Sequence, residues 1–129
     1  MSNFVKALES KTDLYKLSSA TVEQINDAEK SLNIIFADEY KEYLAVFGAA
    51  SANAHEFTGI CQSSRLNVVD VTISERQRNP SVPLELYVVE QANLDRIVVW
   101  QSSAGEVYQT APNMQIVKLC KSLCEYLDL

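Results

Sequence analysis

The stretch from Leu32 to Gly48 constrains this chain most, because it contains a helix with both ends specified. At roughly 100° per residue, Phe36, Tyr40, Tyr43, Leu44 and Phe47 share one side, while Asp38, Glu39, Lys41 and Glu42 lie on the other. That is a core helix with a solvated back. Asp38 and Glu39 place negative charge at its positive end, and Gly48 can take the left-handed conformation that stops it. Tyr40, Tyr43 and Gly48 are therefore expected to be structural residues.

Around this helix the chain alternates between two periods. Phe4, Val5, Leu8, Thr12 and Tyr15 fit one side of a helix from Ser2 to about Leu17. Thr21, with Gln24 three residues on, is a capping-box pattern that starts a second helix running to about Leu32, with Val22, Ile25, Ala28 and Leu32 inward. Glu29 sits at the margin of that stripe, where its carboxylate is expected to accept backbone N–H groups and hold the turn into the next helix. Asn33 tolerates a left-handed turn and lets the chain reverse.

After Gly48, Ala49–Asn53 reads as a loop and His55–Thr58 as a short edge strand ended by Gly59. Asn67–Asn79 is ambiguous on propensity, with β-branched residues first and Glu75-Arg76-Gln77-Arg78 last. Leu86–Val89 and Ile97–Trp100 are continuous apolar runs of the kind that fill a central strand, joined by a turn at Asn93-Leu94-Asp95. Ser102–Gly105 turns the chain back into Val107–Gln109, which completes an antiparallel meander. Ile116, Leu119, Cys120, Leu123, Tyr126 and Leu127 then share one side of a closing helix. The fold class that follows is α+β: a single domain over 1–129, its sheet flanked by N-terminal helices and a C-terminal helix.

The chemistry searched for is largely missing. Gly48, Gly59 and Gly105 are isolated turn glycines, so no phosphate-cradling loop exists. Cys61, Cys120 and Cys124 are an odd, sparse set that reads as free thiols; Cys120 and Cys124 with Cys61 and His55 lack the paired spacing of a zinc site. Cys61 and His55 could be drawn as nucleophile and base, but no elbow motif surrounds either. No metal, cofactor or catalytic residue is expected. A formal charge of −6 disfavours nucleic acid and anionic membranes and favours a basic protein partner. No run approaches a membrane span and no secretory leader is recognisable, so the expected location is the cytoplasm.

From Thr21 to Gly48, the order Ile25, Glu29, Leu32, then Phe36 through Leu44, then Gly48, resembles the SUKH superfamily, the immunity proteins related to fungal cell-wall-assembly and glucan-synthesis regulators. The similarity continues through Asn67-Val68-Val69, Thr72 and Arg76, where the family has a helix, then the strands near Val88 and Val99, Gly105–Tyr108, and Ser122–Leu127. That resemblance decides Asn67–Asn79 as a helix. Two positions depart: the family often has Pro at Ala37 and a Gly-Gly pair at Gly48-Ala49. The resemblance implies an antiparallel sheet flanked by helices, and a protein that binds and neutralises a cognate toxin, often a nuclease.

Steric and electrostatic occlusion of a basic, nuclease-like toxin would use acidic and aromatic groups outside the core stripes: Glu56, Asp70, Glu75, Glu90, Asp95 and Glu106, with Trp100 as an anchor if it is exposed. The alternatives are a non-catalytic interaction domain in a cellular regulatory complex and an enzyme using Cys61. Each acidic residue could equally be plain surface charge, and Trp100 core.

Overall fold

The computed structural model describes residues 3–92 and 95–129. The chain runs α1 (Asn3–Glu9), β1 (Tyr15–Lys16), α2 (Val22–Leu32), α3 (Asp38–Phe47), β2 (Ala50–Ala52), β3 (His55–Glu56), α4 (Val68–Arg78), β4 (Tyr87–Gln91), β5 (Val98–Gln101), β6 (Val107–Thr110), β7 (Val117–Cys120) and α5 (Leu123–Leu127). Two antiparallel sheets form, in the orders β1-β2-β3 and β4-β5-β6-β7. A bridge between Phe57 and Glu90 joins them, and Thr58 N–H donates to the Val89 carbonyl at 2.8 Å. Both results agree with the α+β reading.

Strands β4 and β5 are buried on both faces, which explains their uninterrupted apolar runs. Tyr87, Val89, Val99 and Val107 face α1, α3 and α5, in a core filled by Phe4, Phe36, Tyr40, Tyr43, Phe47 and Leu123. Val88, Val98 and Trp100 face α4 and pack with Val71, Val82 and Leu86. The outer edge of β4 is closed by side chains: Thr72 Oγ1 accepts Val88 N–H at 3.0 Å, and Thr58 Oγ1 donates to the Val88 carbonyl at 2.8 Å. Such capping removes an unpaired edge without adding a long strand.

α3 lies at the centre. Its buried phenols all have partners: Tyr40 OH meets Thr58 Oγ1 at 2.9 Å, and Tyr43 OH donates to the Thr58 carbonyl while accepting Ala50 N–H, both at 2.8 Å. Burial pushes both phenols far above the ordinary tyrosine value, so they act as neutral hydrogen-bonding groups. At Gly48 the backbone has φ 69° and ψ −60°, and Ala49 N–H donates to the Phe47 carbonyl at 2.7 Å. That is a γ-turn rather than the expected left-handed cap, and it points the chain directly into β2.

Four further expectations about element bounds and faces need correction. The first helix stops at Glu9 rather than Leu17: residues 10–14 turn, and from Tyr15 the backbone pairs with β2, with Leu17 N–H donating to the Ala49 carbonyl at 2.9 Å. Val22 is exposed, at the first position after the Thr21 cap. Ala50–Ala52 is a strand, not loop. The closing helix is short, since Val117–Cys120 pairs with β6 and helix begins only where Ser122 Oγ accepts Glu125 N–H at 3.1 Å.

The Thr21 capping box is present with both of its hydrogen bonds. Asn33 has φ 53°, and Asn67 caps α4. Of the turn between β4 and β5, Asn93 and Leu94 lie outside the described residues; Asp95 and Arg96 follow with φ 57° and 56°.

Candidate partner-binding surface

Seven residues carry the expectation of a binding surface, and the fold distributes them unevenly. Trp100 is fully buried on β5, where its indole N–H donates to Thr110 Oγ1 at 3.0 Å. It is a core residue of the α4 side and is not an anchor for a partner. The signal for this was present in the sequence, since Trp100 ends a continuous apolar run.

Glu75 and Glu90 are also withdrawn from the surface, at 4% and 5% exposure. Glu75 lies on the inner side of α4, where its Oε2 accepts from Gln91 Nε2. Glu90 is turned inward by a β-bulge. Val88 pairs with Trp100 and Glu90 with Val99, so Val89 is the extra residue and both it and Glu90 reach the α5 side. There Glu90 Oε1 accepts the Tyr126 hydroxyl at 2.5 Å and faces His55 Nδ1 at 2.9 Å, while Oε2 accepts Glu56 N–H at 2.7 Å. A bulge leaves no trace in strand periodicity, which is why sequence reasoning placed Glu90 outside.

Glu56 and Glu106 stay half-exposed but carry their own cations. Arg65 clamps Glu56 through two contacts of 2.6 and 3.1 Å, and this hydrogen-bonding arginine holds the carboxyl below its usual range. Lys118 Nζ reaches Glu106 at 2.6 Å, and Tyr108 OH donates to it at 2.9 Å; Lys118 contributes more to lowering that carboxyl. Asp70, in the first turn of α4, and Asp95, in the β4–β5 turn, are exposed and have no ion pair among the described residues. Only these two of the seven are both exposed and uncompensated.

Other carboxylates share that condition and were passed over. Glu23 and Asp27 lie one turn apart on the outer face of α2, Asp38 opens α3, and Glu85 precedes β4; all are exposed without an ion pair among the described residues. Val22 and Ile35, exposed at 72% and 64%, belong to the same α2–α3 segment. Interfaces combine such apolar groups with a charged surround. The polar face of α2 was readable as helical periodicity, but nothing in the sequence distinguished it from ordinary solvated charge.

Of the residues expected to be structural, Glu29 Oε2 accepts Phe36 N–H at 2.8 Å, bridging α2 to the approach of α3, and lies 3.6 Å from Lys41 Nζ. Glu39 departs from its expected solvated position. Its Oε2 accepts Leu123 N–H at 2.8 Å and Gln101 Nε2–H at 2.7 Å, and burial raises its pKa despite those hydrogen bonds. Gln101 Oε1 in turn accepts from Tyr87 OH at 2.6 Å, and Tyr87 OH accepts Ala37 N–H at 3.0 Å. The Ala37 departure thus has a use, because proline has no N–H to offer Tyr87.

Catalytic geometry is not assembled by the groups considered for it. His55 Nδ1 is engaged by Glu90, whereas Cys61 Sγ turns to the Ser63 carbonyl at 3.6 Å. Cys120 is on β7 and Cys124 on α5, and burial pushes both thiols up. No group of three or more His, Cys, Asp or Glu suited to a metal occurs among the described residues. No described helix is long and apolar enough to cross a membrane.

An antiparallel sheet held between helices defines an α+β domain as the class. The sequence pattern described as SMI1-KNR4 cell-wall, SUKH_5, matches residues 1–116, and the chain belongs to that family. A crystal structure of a protein from Pseudomonas syringae pv. tomato has the same fold, with a TM-score of 0.73 at 16% identity, covering 98% of this chain and 93% of that one. No curated protein matches the chain.

Proposed function

We propose that this protein is an immunity protein that binds a cognate basic, nuclease-like toxin and neutralises it by occlusion, inside the cytoplasm and without chemistry of its own. The observation that carries the reading is a group of exposed carboxylates without an ion pair among the described residues, including Glu23, Asp27, Asp38, Asp70, Glu85 and Asp95, in a chain of net charge −6. Family membership is the context in which it is read. A nuclease groove is basic because its substrate is polyanionic, so an acidic cover is steered toward it and competes for the same field. The interface is redrawn accordingly: Asp70 and Asp95 remain, Glu56 and Glu106 form a paired rim, and Trp100, Glu75 and Glu90 serve the scaffold.

Co-expression tests this reading. Cells producing the toxin encoded beside this chain survive when the chain is present, and death at an undiminished rate rejects the pairing. The family description, which names cell-wall proteins, favours a second reading as a non-catalytic interaction domain in a regulatory complex. Recovery from its native source of a stable assembly that lacks any toxic member would decide for that alternative.

A further inference from the structure

The chain has four arginines, and they divide into two pairs. Arg65 is clamped by Glu56, and Arg76 donates through one guanidinium nitrogen to the carbonyls of Leu32 at 3.3 Å and Leu84 at 2.7 Å. Arg78 and Arg96 have no such engagement. Both are exposed, neither has an ion pair among the described residues, and both line one groove of about 670 Å³. Arg78 comes from the last turn of α4 and Arg96 from the β4–β5 turn, so two separate elements deliver them to the same concavity.

The amide donors of Asn79 and Gln91 in the groove are already engaged. Asn79 donates its backbone and side-chain N–H groups to the Glu75 carbonyl at 2.9 and 2.8 Å, and Gln91 donates to the Glu75 carboxylate. The Glu75 carboxylate also lines the groove, which opposes any ligand of high negative charge density. Ile97 and Val98 supply apolar wall. Planar guanidinium groups match a carboxylate with two parallel hydrogen bonds, and arginine is enriched at the energetic centres of interfaces.

We infer that this groove is a clamp for a single acidic side chain of the partner protein, held by Arg78 and Arg96. The inference rests on the proposed function for the identity of that partner. It also complements it: long-range attraction by a negative surface does not fix orientation, whereas a local pocket of opposite sign does.

The test needs no toxin, so it can fail while co-expression succeeds, and the reverse. The ¹⁵N-labelled full chain is titrated with an acetylated, amidated peptide containing two glutamates, and in a parallel arm with inorganic pyrophosphate. Saturable shifts at the Arg78 and Arg96 Nε–H groups and the Ile97 and Val98 amides are expected with the peptide, with binding at least tenfold weaker in Arg78→Ala and Arg96→Ala. Both side chains are solvent-facing, so the variants should unfold at the wild-type denaturant midpoint. Arg96→Lys should recover part of the affinity, because charge is restored without the planar fork. The inference is overturned if no saturable shift occurs, if shifts follow lysines across the surface, or if pyrophosphate binds as tightly as the peptide, which would reassign the groove to phosphate.

Discussion

Oε2 of Glu39 lies 2.8 Å from the backbone nitrogen of Leu123, so the start of α3 holds the start of α5 across 84 positions of sequence. Helix α5 has five residues, too few to persist alone, and depends on this contact and on Ser122. Glu39→Ala leaves the Leu123 N–H without its acceptor and the Gln101 amide with only the Gly105 carbonyl, and should cost about 2–3 kcal/mol. Glu39→Gln keeps an acceptor oxygen and removes a buried charge, so it should be nearly neutral at pH 7. Because the folded-state pKa is raised, the native protein binds the proton more tightly than the unfolded chain. Wild type should therefore lose stability relative to Glu39→Gln as pH rises from the ordinary carboxylate value toward neutrality, as read by urea denaturation across that range.

Glu90 makes a second long-range polar junction, joining β3, β4 and α5 through His55, the Glu56 N–H and Tyr126. Glu90→Ala orphans the buried Tyr126 hydroxyl and the half-buried His55 and Glu56 N–H, and should cost about 3–5 kcal/mol. Tyr126→Phe removes one hydrogen bond and should cost about 1–2 kcal/mol. Denaturant midpoints should fall in that order with an unchanged m-value.

Gly48 and Gly59 pack backbone to backbone. A Cβ on Gly48 would stand 1.9 Å from the Ser18 carbonyl oxygen at φ +69°, and one on Gly59 would stand 2.0 Å from the Gly48 carbonyl oxygen. Neither neighbour is a flexible side chain that could swing away. Gly48→Ala and Gly59→Ala should each destabilise by more than about 3 kcal/mol, and the double variant should depart from their sum, because the carbon added at Gly59 meets the very residue that the substitution at Gly48 displaces. Thermal denaturation of the three variants measures this.

Trp100 is the sole tryptophan and is fully buried. Its emission should be blue-shifted and insensitive to iodide in the free protein, and unchanged when a partner binds. Trp100→Phe should lower stability by about 1–3 kcal/mol through lost volume and the unpaired Thr110 hydroxyl without altering partner affinity.

How far the sequence could be read depends on whether a feature is local. The capping box at Thr21, the core stripe of α3 and the apolar strands β4 and β5 are each written within a few neighbouring residues, and they were legible. Val117–Cys120 was not, because Ile116, Val117 and Leu119 suit either period and pairing with β6 decides between them. Residue 37 shows the same divide: only the fold reveals that its N–H meets Tyr87, some fifty positions away. The candidate surface was least legible of all. Whether Glu75, Glu90 or Asp70 faces solvent depends on a bulge and on the docking of α4, neither of which leaves a mark in composition or spacing.

The central claim is that exposed, unpaired carboxylates steer this protein onto a basic partner. It is tested most directly by the association rate with a catalytically silenced form of the neighbouring toxin, measured for wild type and for a Glu23→Lys/Asp27→Lys/Asp70→Lys variant between low and physiological salt. The account predicts a wild-type rate that falls steeply with salt, and a variant at least tenfold slower at low salt with a much shallower salt dependence. Equal rates and equal salt slopes for the two proteins would contradict it.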